Sequence, residues 1–153
     1  IVLPGVGSFD QALKKIEEKG FKKVIKDAVT KEKIRVFGIC LGMQILFDSS
    51  EEGNLNGLGI LNGKFERFKT KKTHMGWNTV SPELVMKNSR FYFVHNYALK
   101  EHSLRELQIF KSIYNGESFV SMVKSSNILA TQFHPEKSGE YGLSLIKNWL
   151  NES

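Results

Sequence analysis

Val36-Phe37-Gly38-Ile39-Cys40-Leu41-Gly42-Met43-Gln44-Ile45-Leu46-Phe47 is an apolar run that changes, at one cysteine, from the pattern of a buried strand to that of a helix. The glycines two residues to either side of Cys40 suit a turn so tight that side chains beside it would collide. Gly-x-Cys-x-Gly therefore predicts a nucleophile elbow, which lifts the sulfur above a sheet edge at a helix N-terminus. That placement is expected to favour thiolate over thiol, and to aim the backbone N–H of Leu41 at a developing oxyanion.

Upstream, Ile1-Val2-Leu3-Pro4-Gly5-Val6-Gly7 reads as the end of a buried strand entering a glycine turn. Ser8 and Gln11 have capping-box spacing, and Phe9, Ala12, Leu13 and Ile16 share a helical face that Gly20 ends. Phe21, Val24, Ile25, Ala28 and Val29 predict a second helix leading to a strand over Ile34 to Ile39. Two strands joined by so long a crossover pair in parallel, and open α/β sheets place their sites at the carboxyl ends of such strands. Gly5-x-Gly7 lacks the third glycine of a dinucleotide fingerprint, with Asp10 in its place, so no nucleotide cofactor is expected.

Downstream, residues 49–54 read as a polar loop, followed by a turn and a strand through Phe65 and Phe68. Thr73 to Val80 is extended, residues 82–90 form a loop or short helix, and Phe91 to Ala98 is one apolar strand. Asn115-Gly116 joins strands over 107–114 and 118–123 as a hairpin. A strand over 128–133 delivers His134-Pro135-Glu136, and Leu143, Ile146, Trp149 and Leu150 space a closing helix. The expected fold class is α/β, a mainly parallel sheet with an antiparallel insertion and helical covering.

The 153 residues suffice for one domain, and 41% hydrophobic with 25% charged residues is ordinary for a globular protein. One cysteine rules out an internal disulfide framework, and no paired Cys or clustered His has metal-ligand spacing, so no metal is expected. The net charge is +6, and of the 22 basic residues Lys14, Lys15, Lys19, Lys22, Lys23 and Lys26 fall between apolar helical positions as a solvated face. Without interleaved aromatics this is no nucleic-acid groove. No apolar run approaches the roughly 18 residues of a membrane span, and a cytoplasmic protein is expected.

His134, at a strand end, is placed to take the Cys40 proton and return it to a leaving group, with Glu136 orienting the imidazole. His-x-Glu means little by itself. Joined to a glycine-framed cysteine after a strand, it predicts acyl transfer through a thioester.

Gly38-Ile39-Cys40-Leu41-Gly42-Met43-Gln44 together with His134-Pro135-Glu136 resembles the class I glutamine amidotransferases, whose Cys-His-Glu triad releases ammonia from glutamine. Leu3 to Phe9, His74 to Asn78, Tyr92 to His95 and Gln132 to Ser138 extend the resemblance over nearly the whole chain. It implies a flavodoxin-like fold, no cofactor, Cys40 as nucleophile, His134 as acid/base and Glu136 as its partner. It also implies that Gln44, and as a second candidate Glu52, holds the α-amino acid end of L-glutamine. Gly5, Val6 and Gly7 would line the pocket and complete the oxyanion hole with Leu41 when a partner docks, and Asn96 and Tyr97 would contact substrate. The partner implied is a cyclase β/α barrel of histidine biosynthesis, forming a heterodimer and receiving ammonia through a tunnel. His74, Met75, Trp77 and Lys137 correspond to the docking face, although Met and Trp could equally be core residues.

Departures from the family pattern are Thr73, where proline is usual, and Asn96, where serine is common. The family also normally begins with a further strand-helix-strand portion before Leu3. The expectation is a domain incomplete at its N-terminus, with Ile1 to Leu3 an exposed apolar edge prone to aggregation or dependent on a missing piece. Two other readings stay open, ammonia supply to a paralogous synthase such as one of sugar amination, and an inactive remnant.

Overall fold

The computed structural model describes residues 1–82, 89–100 and 107–152. The chain opens with β1 (Val2–Leu3), α1 (Phe9–Glu18) and α2 (Phe21–Thr30), then enters β2 (Val36–Ile39) and α3 (Leu41–Leu46) through Cys40. Short strands follow: β3 (Ser49–Ser50), β4 (Lys64–Arg67), β5 (His74–Thr79), β6 (Arg90–His95) and β7 (Tyr97–Leu99). The long hairpin of β8 (Gln108–Tyr114) and β9 (Glu117–Lys124) leads to β10 (Ile128–Thr131), a 3-10 turn at Pro135–Lys137, and α4 (Gly139–Asn151). Most of the loop or short helix expected over 82–90 lies outside the described residues.

One eight-stranded sheet runs β1-β2-β10-β9-β7-β4-β3, with β8 paired to β9. Its β1-β2-β10 end is parallel, in the register Leu3↔Gly38 and Gly38↔Ala130, as the long crossovers require. From β10 through β9 and β7 to β4 the pairing is antiparallel, and β3 closes the far end parallel to β4. The antiparallel portion is therefore larger than an insertion, but the parallel strands are the ones that reach Cys40 and His134. β1 lies at one end of the strand order, and Ile1 and Val2 are exposed there.

Period-two alternation, shifted by one residue at a bulge between Val120 and Met122 of β9, deals side chains to two cores. Val36, Val120, Val123, Ile128 and Ala130 pack on the face covered by α1 to α3, while Phe37, Phe119, Met122 and Leu129 pack on the face covered by Tyr141, Leu145, Ile146 and Trp149 of α4. Asn115 and Gly116, with φ of 47° and 79°, make the tight turn between β8 and β9.

Four local expectations need correction. The run from Phe91 to Ala98 is two strands, because Asn96 breaks it and hands the chain from the two-stranded β5-β6 ribbon to the main sheet. The strand ending at Phe133 stops at Thr131. Residues 49–54 are not all loop, since Ser49 and Ser50 pair with Lys64 and Phe65. Ser8 occupies the N-cap of α1, but its side chain makes no cap bond; the Glu52 carboxylate accepts the Phe9 N–H instead. Among the described residues no helix is long and apolar enough to cross a membrane.

Candidate active site

Three loops leave the same edge of the parallel strands. Pro4 to Gly7 follows β1, Cys40 follows β2, and Gln132 to His134 follows β10. The Cys40 N–H donates to the Thr131 carbonyl at 2.7 Å, which ties the elbow to the strand carrying the histidine. Cys40 has φ 49° and ψ −103°, a strained conformation for a residue with a side chain. The flanking glycines make that turn possible. A Cβ on Gly38 would lie 2.7 Å from the Gly42 carbonyl, and one on Gly42 would strike the Leu3 carbonyl. Gly5 is equally confined, since a Cβ there would meet the Ile39 carbonyl and, at 2.8 Å, the Cys40 Cβ.

The Cys40 thiol is held by one side-chain contact and two backbone contacts. It donates to the Val94 carbonyl at 3.9 Å and accepts from the Gln132 amide nitrogen at 3.5 Å, while the Leu41 N–H also points at the sulfur. The expected thiolate is not the resting form. Burial, with the Glu136 and Glu52 carboxylates adding to it, pushes the thiol up to about 11 against the lowering by Leu41 and Gln132. The helix behind Cys40 has only six residues, and its end does not outweigh the desolvation.

His134 is buried, and its Nδ1 lies 2.7 Å from Glu136 Oε1. That contact leaves Nε2 as the ring nitrogen available to other groups. The histidine's backbone is clamped on both sides, its N–H donating to Tyr92 O at 2.8 Å and its carbonyl accepting from the Ser138 hydroxyl at 2.6 Å. Ser138 Oγ also accepts the Tyr92 N–H at 2.9 Å, so β6, the 3-10 turn and α4 hold the imidazole together.

A cleft of about 290 Å³ opens over these groups, lined by Gly5, Val6, Gly7, Cys40, Leu41, Gln44, Glu52, Val94, His95, Asn96, Tyr97, His134 and Lys137. It brings together residues that sequence separates by more than a hundred positions. Gln44 is almost fully buried, donates to Gln132 Oε1 at 3.3 Å, and has an amide oxygen without a partner among the described residues. Burial and the neighbouring Asp10 raise the Glu52 carboxyl above its ordinary range, against the Phe9 N–H that lowers it. Gln132 is the member of the site to which the motif reading assigned no role. Its signal was only a polar residue two places before the histidine.

The suggested docking residues do not share one surface. Met75 and Trp77 project from β5 with 65% and 53% of their surface exposed, so they are not core residues. Lys137 lines the cleft mouth. His74 is a correction: it points inward, because alternate residues of β5 face opposite ways. There its Nδ1 lies 2.9 Å from His95 Nε2, and its ring stacks between Phe93 and Tyr114. His95 Nδ1 lies 2.7 Å from the Tyr97 carbonyl and so carries the proton, which makes His74 the donor of the pair. Burial lowers both, His74 to about 4 and His95 to about 3. Among the described residues no group of three or more His, Cys, Asp or Glu could hold a metal.

A strand-cysteine-helix elbow beside a His-Glu pair at the carboxyl edge of parallel strands defines a class of protein, and the family comparison agrees. The glutamine amidotransferase class-I family matches residues 1–152, and the chain belongs to that family of enzymes. Within it, the chain is 40% identical to "Imidazole glycerol phosphate synthase subunit HisH 2" of Methanococcus maripaludis, covering all of this chain and 80% of that protein. It is 42% identical to the HisH subunit of Methanocaldococcus jannaschii, over 98% of this chain and 79% of the relative. The HisH subunit of Leptospira interrogans is 40% identical over 99% and 80%. A solved glutamine amidotransferase superimposes with a TM-score of 0.69 at 19% identity, over 97% of this chain and 77% of that one, which bears on the fold.

Proposed function

We propose that the chain is the glutaminase subunit of a histidine-pathway synthase of the HisH type, using Cys40, His134 and Glu136 as its triad. The observation that carries the reading is the cleft itself, where Cys40 and Gln44, from the elbow and its helix, meet His134 from the far end of the chain.

Glutamine enters with its α-amino acid end toward Gln44 and Glu52 and its side-chain amide over the sulfur. His134 Nε2 takes the thiol proton as sulfur attacks the amide carbon, and Glu136 at Nδ1 stabilises the imidazolium. The high resting position of the thiol makes this proton transfer part of the reaction rather than a precondition. The oxyanion is stabilised by backbone N–H groups, with Leu41 and the Gly5-Val6-Gly7 segment as candidates. His134 then gives its proton to the amide nitrogen, the C–N bond breaks, and ammonia leaves a thioester on Cys40. Water, deprotonated by His134, attacks the thioester, and glutamate departs as the proton returns to sulfur.

Ammonia released to bulk water is protonated, so a receiving active site must lie close to the cleft. HisH relatives are named as subunits of imidazole glycerol phosphate synthase. We read the partner accordingly as a cyclase barrel, docked against Met75, Trp77 and Lys137, that builds the ammonia nitrogen into imidazole glycerol phosphate as its ribonucleotide substrate is cleaved and AICAR leaves.

The test is intact mass after treatment with 6-diazo-5-oxonorleucine, a glutamine analogue that alkylates the nucleophile. One adduct, blocked by glutamine and absent from Cys40→Ala, is expected. No adduct, with or without a purified cyclase subunit, refutes the reading.

A further inference from the structure

We infer that Gln132 is a positioning residue for the nucleophile, the last link of an amide chain from Gln44 to Cys40 that sets which way the hydrogen bond at the sulfur runs. The Gln132 side chain is wholly buried at the end of β10, and its main chain is pinned by the N–H donating to Ser121 O at 2.8 Å. Its amide nitrogen donates to Cys40 Sγ at 3.5 Å, and its oxygen accepts from the Gln44 amide at 3.3 Å.

These two amides have only two self-consistent orders. In the one observed, every N–H points along the chain toward sulfur, which favours thiolate because only the charged sulfur accepts such a bond strongly. With both amides turned round, the Gln132 oxygen would face the sulfur and accept from the S–H, which favours thiol. Turning one amide alone would set two oxygens or two N–H groups against each other. The observed order leaves the Gln44 oxygen buried without a partner among the described residues, so the donor at sulfur is held at a cost elsewhere in the chain of amides. The catalytic consequence rests on the glutaminase reading; the contact with sulfur does not.

The experiment compares the parent chain with Gln132→Met, which keeps the length of the side chain and removes its donor. The rate of Cys40 alkylation by iodoacetamide is followed by intact mass from pH 7 to 9.5, where it tracks the thiolate fraction. Loss of the donor slows alkylation about tenfold at each pH, equivalent to about one pH unit. Loosened packing alone would expose the sulfur and speed it. The two chains must react alike once denatured. Glutamine turnover is expected to fall about tenfold in kcat with KM nearly constant. An unchanged or faster alkylation rate in the folded variant overturns the inference. Should Gln132→Met not fold, Gln44→Met frees the Gln132 amide to turn and must also slow alkylation, an unchanged or faster rate again overturning it. Diazo-oxonorleucine labelling of the parent, read separately, shows whether the glutaminase reading itself stands.

Discussion

At Cys40 the local sequence and the surrounding fold pull in opposite directions. Two glycines and a helix make room for the sulfur, yet burial raises its thiol pKa, so the proposed mechanism needs a base to take the proton. His134→Ala is therefore expected to lower kcat by about 10²–10⁴-fold with little change in KM. Glu136→Gln, which weakens support for the imidazolium, should cost about 10²-fold. Steady-state glutaminase assays with the cyclase subunit present measure both. The residues of this site were legible because the elbow and the His-Pro-Glu turn are each short and chemically distinctive. The protonation state was not, because desolvation depends on what folds over the sulfur. Gln132 was hidden for a related reason: a buried amide's meaning lies in what it faces, here a glutamine 88 positions away.

At the level of elements, strand and helix identity followed from periodicity, whereas boundaries and sheet membership did not. Nothing in Phe91 to Ala98 marks Asn96 as the point where the chain changes sheets, because both halves are apolar. The glycines give a sharper test. Gly42→Ala should destabilise by about 3 kcal/mol, since the added Cβ meets backbone that cannot move aside. Gly20→Ala, at φ 68° in open space, should cost about 1 kcal/mol. Urea midpoints read the difference. The outward face of β5 carries its own expectation: Trp77→Ala should weaken cyclase binding by about 2 kcal/mol or more while leaving diazo-oxonorleucine labelling intact. Calorimetric titration against the partner checks it.

Over the whole molecule, the His74–His95 pair makes stability depend on pH. Both are held well below the ordinary histidine value in the fold, so the unfolded chain binds protons first as pH falls. Stability is complete above about pH 6.5 and declines toward pH 4, by about 1.4 kcal/mol per pH unit for each proton taken up. Denaturant titrations between pH 7 and 4.5 should show that slope, and it should flatten in His95→Asn. The broad architecture was readable from alternating helices and strands, but the extent of the antiparallel half was not, since pairing partners there are set by tertiary packing. His74 was read as a docking-face residue for the same reason: its burial is a property of the assembled aromatic cluster, not of the His-Met-Gly-Trp segment.

In the mechanism proposed above, the one thiol of the chain is also its nucleophile, and this concentrates oxidative risk on one atom. A peroxide that reaches Cys40 makes a sulfenic acid with no second cysteine in the chain to capture it as a disulfide. Recovery then falls to external thiols small enough to enter the cleft, and without them further oxidation silences the sulfur irreversibly while leaving the fold's other contacts untouched.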